Sequence, residues 1–431
     1  MLAAAAPAQT PKGANDKINV ACIGLGIMGQ GDVATAVTVP GVRLAAVADV
    51  YEGRLNKAKE MYGKDIFTTR DYREILARPD IDAVIVAVPD HWHQIMACDA
   101  MKAGKDVYCQ KPMVQKVEEG AAVIRTQNET KRILQVGSQR ASSILYAKAR
   151  EVIKQGMIGD VRMVEAYWDR NSALGAWQYS IPPDATPQTV DWDRFIGHAP
   201  KRPFEPIRMF RWRNYQDYGT GVAGDLYVHL FTGIHYVMDS NGPNRIMSTG
   251  GLYYWNDGRD VPDLMMGMYD YPETKAHKAF HLGLRLNFAA GGGDSSGFRF
   301  IGADGVLDLA VGGALVLKRK PKDSEPGHTS SNFSKATAAE IVKQYQTKYP
   351  AQKASADGMR ANSEQRWVLP PGYTEQYAHH ENFFNAIRSR NPVIEDAVFG
   401  LRAAGPALLS NVSHFTRKTV NWDPEMMVVK G

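Results

Sequence analysis

The sequence predicts an α/β protein with a doubly wound parallel sheet, followed by an α+β domain whose open sheet is mostly antiparallel. An apolar strand runs into a glycine-rich turn at Ile18–Gly31, and strands alternate with helices as far as Gly137. Beyond Ser138, strand-like segments follow one another directly. The length of 431 residues also exceeds what one hydrophobic core usually organises, so two domains are expected.

The stretch Ile18–Gly31 (INVACIGLGIMGQG) has the order of a dinucleotide-binding motif. A buried strand, Ile18–Ile23, leads into a glycine turn, and a helix follows. Gly24 permits the tight turn, Gly26 lets the backbone approach the phosphates, and Gly29 lets strand and helix pack closely. The start of the helix then presents free N–H groups to the pyrophosphate. The predicted cofactor contacts in this turn are Gly24, Gly26, Ile27, Met28 and Gly29.

The second apolar strand, Leu44–Asp49, ends in a carboxylate. A carboxylate at this place can accept hydrogen bonds from the adenosine ribose hydroxyls, and it repels the 2′-phosphate of NADP. Asp49 therefore predicts NAD as the cofactor, with NADP less favoured. Arg54 follows closely and works against that preference.

The first domain, residues 17–138, continues in the same alternation. Its wholly apolar segment Ala83–Val88 (AVIVAV) is typical of a parallel strand covered on both faces. Short connections between strands and helices favour the doubly wound arrangement. The further predicted elements are helices at Glu52–Tyr62, Gln94–Ala103 and Glu118–Thr130, and strands at Lys105–Cys109 and Ile133–Gly137.

The second domain, residues 139–374, is predicted to bind substrate and to mediate oligomerisation. A helix at Leu145–Gln155 precedes a run of strands joined by turn-rich segments, and the polar residues 318–365 are interpreted as a surface insertion. Residues 375–431 are predicted to be helices that pack back on the first domain. The predicted strands are Arg162–Trp168, Ile246–Tyr254, Leu264–Tyr271, Ala279–Asn287, Gly297–Ile301, Val306–Leu309 and Ala314–Leu317.

Composition excludes several classes of function. A net charge of +5 without a basic run does not indicate nucleic-acid binding, and no apolar stretch reaches the roughly 18 residues of a membrane span. Cys22, Cys98 and Cys109 lack metal-ligand spacing and are interpreted as buried thiols. No metal site is predicted.

Residues 1–16 (MLAAAAPAQTPKGAND) have no periodicity. Their small residues are similar to the end of an export signal, which predicts export to the periplasm of a bacterium. The alternative is a disordered tail on a cytoplasmic protein.

Five motifs in order resemble the Gfo/Idh/MocA oxidoreductase family. They are IGLGIMG at 23–29, VADV at 47–50, DAVIVAVPDHWH at 82–93, AGKDVYCQKPM at 103–113 and GVAGDLYVHLFTGIHYV at 221–237. The closing segment 379–404 is similar too. The resemblance implies a nicotinamide cofactor, a Rossmann domain, a C-terminal open sheet and catalysis by Lys111, Asp225 and His229. Gln110 stands where the family's EKP motif has Glu.

Hydride removal from a carbinol requires the hydroxyl proton to leave, so a base or a hydrogen-bonding cation must lie beside it. Lys111 follows a predicted parallel strand, at the edge where open α/β sheets bind ligands. Asp225 and His229 are four residues apart on one helix face, which suits a histidine base oriented by a carboxylate. The structural alternatives are a solvated Lys-Pro turn and a buried histidine with Asp225 at a helix start.

Further cofactor contacts are predicted where strands of the first domain end. His91 and His93 lack a third metal ligand nearby, so a capping role or a place at the edge of the cofactor is favoured over a metal site. The predicted contacts at these strand ends are Pro89, His91, His93, Gln110 and Lys111.

An aromatic and arginine-rich stretch before Asp225 suits a carbohydrate, which is apolar on the ring face and hydroxylated at the rim. Most of these residues are expected to be core, and Arg213 and Tyr218 are the predicted substrate contacts. The function predicted is NAD-dependent oxidation of a sugar, sugar derivative or cyclitol hydroxyl. The alternatives are a redox-neutral, NAD-dependent glycosidase and a non-catalytic NAD-binding protein, the last disfavoured by Lys111, Asp225 and His229. A homodimer or homotetramer through the open sheet is also predicted.

Overall fold

The computed structural model describes residues 17–319, 328–350 and 364–430. The predicted tail or export-signal remnant at 1–16 lies outside the described residues, as does part of the predicted insertion. No helix within the described ranges is both long and apolar enough to cross a membrane.

Six parallel strands form the first sheet, in the spatial order β3-β2-β1-β4-β5-β6. The chain order reverses between β1 and β4, which creates the crevice where such sheets bind ligands. This arrangement confirms the predicted Rossmann-type sheet. The strands are β1 (Ile18–Ile23), β2 (Val42–Ala48), β3 (Phe67–Thr69), β4 (Ala83–Val86), β5 (Asp106–Cys109) and β6 (Leu134–Val136). Their helices are α1 (Ile27–Ala36), α2 (Glu52–Tyr62), α3 (Tyr72–Leu76), α4 (His93–Lys102) and α5 (Gly120–Thr130).

Ten strands form the second sheet, in the order β14-β13-β12-β11-β7-β10-β9-β8-β15-β16. Only β7 and β10 pair in parallel, so the open, mostly antiparallel sheet is confirmed. The strands are β7 (Val161–Asp169), β8 (Arg245–Gly251), β9 (Leu264–Tyr271), β10 (Phe280–Asn287), β11 (Ser295–Gly302), β12 (Gly305–Ala310), β13 (Ala314–Arg319), β14 (Gln365–Val368), β15 (Val420–Asp423) and β16 (Val428–Lys430).

Helices cover one face of the second sheet, where Tyr146 packs on Phe298 and Phe231 packs on Tyr269. The opposite face is exposed. The helices after the first domain are α6 (Ile144–Lys154), α7 (Trp192–Ile196), α8 (Pro206–Phe210), α9 (Val228–Met238), α10 (Lys335–Lys348), α11 (Glu375–Ser389) and α12 (Ala397–Thr416). Phe383 of α11 shares a buried core with Val33 of α1, so α11 contacts the first domain.

The structure differs from the predicted elements at three places. The strand predicted to reach Tyr254 ends at Gly251, because the Asp263 carboxylate accepts the N–H groups of residues 253–255 and turns the chain away. The C-terminal segment is not wholly helical, since β15 and β16 extend the second sheet. β14 forms its other edge. Edge strands this short carry too little periodicity to be identified from sequence.

Candidate active site

The glycine turn after β1 follows the motif, and a different constraint favours glycine at each of its three positions. Gly24 has φ +90°, and a Cβ there would lie 2.4 Å from the Ala87 carbonyl oxygen. A Cβ on Gly29 would lie 2.0 Å from the Gly24 oxygen, so strand and helix pack closely at that point. A Cβ on Gly26 would come no nearer than 3.7 Å to Arg54. The protein itself leaves room at Gly26, and a bound pyrophosphate would occupy it.

Asp49 stabilises this turn as well as facing the cleft. One carboxylate oxygen accepts the Leu25 N–H at 2.8 Å, and the other accepts the Tyr51 N–H at 3.0 Å. Arg54 lies 3.4 Å from the first of these oxygens. The carboxylate therefore holds the glycine turn to the end of β2, a structural role that sequence reasoning missed.

A cleft of about 410 Å³ lies above the carboxyl ends of the parallel strands. Most of the predicted cofactor contacts line it. These are Gly24, Gly26, Ile27, Met28, Asp49, Pro89, His93, Gln110 and Lys111, and the predicted substrate contact Arg213 lines it too. Ile27, at the start of α1, is 62% exposed.

Three predicted contacts do not line the cleft: Gly29, which packs on Gly24, and the residues His91 and Tyr218. The ring nitrogens of His91 face the carbonyl oxygens of Tyr218 at 3.3 Å and Phe195 at 3.0 Å, and burial lowers the pKa of His91 to about 4. The Tyr218 side chain is fully buried against Phe195. Both residues thus help to join the first domain to the segment before α9, and neither side chain lines the cleft.

His93 has a similar joining role at the cleft wall. Its ring nitrogens lie 2.9 Å from the Val88 carbonyl and 2.6 Å from the Pro112 carbonyl. It therefore connects the ends of β4 and β5. Burial lowers its pKa to about 4, so the ring is neutral at physiological pH.

Lys111, Asp225 and Arg213 form a buried charged cluster at the cleft. Lys111 Nζ lies 2.9 Å from Asp225 Oδ1 and also donates to the Asp225 carbonyl oxygen at 2.9 Å. Arg213 Nε donates to the same Oδ1 at 3.1 Å. Burial would raise the pKa of Asp225, but the two cations outweigh it and hold that pKa well below its usual range. Burial lowers the pKa of Lys111 despite the carboxylate, which favours its neutral amine form.

His229 is oriented differently from the prediction. Asp225 lies in a π-helical turn, Ala223–Tyr227, just before α9, and its carboxylate contacts the two cations instead of the imidazole. His229 Nδ1 lies 3.0 Å from the Ser138 hydroxyl, and its ring packs 5.6 Å from Trp168. The predicted orientation of His229 by Asp225 is therefore corrected, because the wider π turn changes the offset between the two side chains. Burial, and then the charge of Lys111, hold the His229 pKa well below its usual range.

Gln110 points to the opposite side of the strand end from Lys111. Its amide donates to Asp32 Oδ2 at 2.8 Å, and His380 Nε2 lies 3.7 Å from Asp32 Oδ1. Burial raises the pKa of Asp32 to about 7, although the Gln110 hydrogen bond and the charge of Lys111 oppose the rise. Sequence reasoning missed Asp32 and Ser138. An acidic residue on the otherwise small and apolar α1 was the available indication for Asp32.

Two family models match the chain. One is described as "Oxidoreductase family, NAD-binding Rossmann fold" and covers residues 18–138, and the other as "Oxidoreductase family, C-terminal alpha/beta domain" and covers residues 147–248. Together they match more than half of the 431 residues. The chain belongs to the Gfo/Idh/MocA oxidoreductase family. Its glycine turn is thus part of the family's NAD-binding domain, as predicted.

Curated relatives carry sugar and cyclitol names. The chain is 35% identical over 144 residues to scyllo-inositol 2-dehydrogenase (NAD(+)) of Bacillus subtilis, which is 33% of this chain and 42% of that protein. It is 31% identical over 163 residues to Glycosyl hydrolase family 109 protein 2 of a Shewanella species, 35% of each chain. The chain therefore matches less than half the length of either relative.

Among solved structures, a levoglucosan dehydrogenase in complex with NADH has the same fold. The TM-score is 0.66 at 17% identity, covering 94% of this chain and 99% of that one. Within the described ranges, no group of three or more His, Cys, Asp or Glu side chains is placed to bind a metal ion.

Proposed function

We propose that this protein is an NAD-dependent dehydrogenase that oxidises a hydroxyl group of a sugar, sugar derivative or cyclitol. The observation that carries the proposal is Lys111, which follows β5, lines the cleft beside the glycine turn and forms a buried ion pair with Asp225 behind it. The inositol dehydrogenase and levoglucosan dehydrogenase names of similar proteins support this substrate class. Lys111, Asp225 and His229 are the catalytic residues of the proposal.

Lys111 has the position and the lowered pKa to take the hydroxyl proton as the carbon loses hydride. NAD, when bound, supplies the hydride acceptor. Asp225 then stabilises the ammonium that forms on Lys111, and the backbone of the glycine turn holds the cofactor phosphates. Neutral His229, held by Ser138, provides a second hydrogen-bonding group for the reacting oxygen. The alcohol thus becomes a carbonyl, its proton passing to Lys111.

A redox-neutral glycosidase is the second candidate, favoured by the match to a protein named as a family 109 glycosyl hydrolase. One panel separates the two. Sugars, cyclitols and aryl glycosides are incubated with enzyme and NAD while NADH absorbance and aglycone release are recorded together. Accumulating NADH supports the dehydrogenase, and aglycone release without net NADH supports the glycosidase. If neither occurs with any compound, the proposed function is wrong.

NAD is proposed over NADP because the Asp49 carboxylate faces the cleft where a 2′-phosphate would meet like charge. Fluorescence titration with both cofactors tests this preference. Tighter binding of NADP would contradict it and would point to Arg54 as the dominant charge.

We also propose that the exposed face of the second sheet pairs with a second copy of the chain. Met266 and Met268 of β9 are 52% and 51% exposed on this face, whereas Leu282 and Leu286 of β10 point into the core. An exposed apolar surface of this kind is commonly buried by self-association. We expect a dimer or tetramer by light scattering, and we expect Met268→Asp to shift it towards monomer. A monomeric wild type at micromolar concentration would contradict the proposal.

A further inference from the structure

Three basic residues lie around one buried carboxylate beside the cleft. Lys111, Arg213 and Arg170 all act on Asp225, and Asp90 is a second buried carboxylate near it. Lys111 and Arg213 both donate to one Asp225 oxygen, so a single carboxylate serves two cations. Asp294 acts on Arg170 from an exposed position.

Arg213 has hydrogen-bonding capacity that the protein does not use. Its Nε donates to Asp225 Oδ1. Its two terminal nitrogens form no hydrogen bond with any of the described residues. The guanidinium lies 4.3 Å from the centre of the Trp212 ring, and both side chains line the cleft. The side chain is 16% exposed. A planar pair of N–H groups held against an aromatic ring at a cleft matches the two oxygens of a carboxylate.

Arg170 is the cation without a carboxylate of its own. It follows β7 directly, donates from Nη1 to the Gly175 carbonyl at 2.8 Å, and lies 5.8 Å from the Trp168 ring centre. In the part of the chain that the structure describes, it forms no ion pair. Burial lowers the pKa of Arg170, because the nearby carboxylates only partly compensate the guanidinium for its loss of water. A largely buried cation of this kind is unfavourable until an anion neutralises it.

We propose that the substrate is a carboxylated sugar derivative, such as a uronic or aldonic acid, whose carboxylate binds the terminal nitrogens of Arg213 near Arg170. This inference rests on the proposed function and names the substrate class. The two terminal nitrogens of one guanidinium match the two oxygens of one carboxylate in a planar pair of hydrogen bonds.

The test compares matched compounds with the full-length enzyme and NAD, by initial rates of NADH formation. Each set holds a uronate, its methyl ester, the neutral sugar and the sugar phosphate. We expect kcat/KM for the acid to exceed that of the ester and of the neutral sugar by about 10- to 100-fold, the effect of hydrogen bonds to a charged group.

Two variants test the residue. Arg213→Gln should bring the acid-to-ester ratio close to one, and Arg213→Lys, which keeps a charge beside Asp225 but loses the planar pair of N–H groups, should lower that ratio by a smaller factor. Arg208→Gln is the matched control, because Arg208 is equally 16% exposed but pairs with Glu205 outside the cleft. Arg208→Gln should leave the ratio unchanged.

Equal rates on acid and ester, or a preference for the phosphate, would overturn the inference and leave the dehydrogenase function standing. Arg213→Gln and Arg213→Lys lowering both rates equally would also overturn it, since Arg213 would then serve only Asp225. If no compound yields NADH or releases aglycone, the proposed function fails and this inference fails with it.

Discussion

Two buried carboxylates lie on opposite sides of the strand end at Gln110–Lys111, and their surroundings differ. Asp225 lies beside two cations, which hold its pKa well below the usual range against the effect of burial. Asp32 faces the neutral amide of Gln110 and the neutral ring of His380, and burial raises its pKa to about 7. Two adjacent residues just after β5 thus contact two different carboxyls, one held ionised by cations beside the cleft and one with neutral partners on α1.

This difference explains the departure from the EKP motif in physical terms. A Glu at position 110 would place a second carboxylate within hydrogen-bonding distance of Asp32, where two ionised groups repel. Gln110 donates to Asp32 without adding charge. Lys111 still reaches Asp225 from the neighbouring position. The substitution therefore affects the surroundings of Asp32 and leaves the charged cluster in place.

The largest expected effect comes from removing the cation of the charged cluster. Lys111→Met should lower kcat by about 10²–10⁴-fold, the usual worth of general acid–base catalysis. The NAD dissociation constant should change little, since Lys111 is not assigned to phosphates or adenosine. Gly26→Val serves as the converse control, because its side chain would fill the space left for the pyrophosphate. Near-normal turnover of Lys111→Met would place the proton transfer elsewhere.

Asp225→Asn removes the negative charge from the charged cluster. We expect it to affect catalysis less than Lys111→Met does. Burial lowers the pKa of Lys111, and the Asp225 carboxylate partly offsets that fall. In the wild type, kcat/KM should therefore rise with pH through an apparent pKa below 10.5, as neutral amine forms. Without the carboxylate, the ammonium is less stable and the inflection should move to lower pH. An inflection that stays in place or moves upward in the pH–rate profile would contradict this assignment.

Gln110→Glu should have the smallest effect, and it acts on stability. A second carboxyl beside Asp32 raises the folded-state pKa of the pair further above its unfolded value, so the folded state binds more protons. The free energy of unfolding of the variant then falls as pH rises. Relative to the wild type, it should be lower by about 1–3 kcal/mol near pH 8 and by less near pH 5.5. Urea unfolding at both pH values measures it. Gln115→Glu, at an amide whose hydrogen bond is exposed, is the control and should lose little. A pH-independent loss would show that repulsion is not its cause.

The proposed site could be predicted in part from sequence. The glycine turn, Asp49 and Lys111 lie next to strand ends, and strand ends of a parallel sheet converge on one edge. His91 and Tyr218 were also predicted from their proximity in sequence to other site residues. Their side chains lie instead in the interface between the first domain and the segment before α9. The choice between cleft and interface depends on packing partners more than 100 residues away.

The sequence by itself determined the alternation of strands and helices in the first domain and the nucleotide-binding turn, because apolar periodicity and glycine spacing act over short range. Tertiary structure alone decided their pairing. Asp225 contacts Lys111 and Arg213, His229 contacts Ser138, and Gln110 contacts Asp32. A π-helical turn of five residues before α9 sets the first two of these pairings. Such a turn leaves no periodic pattern in the sequence. It is stabilised by contacts that form only after both domains have packed.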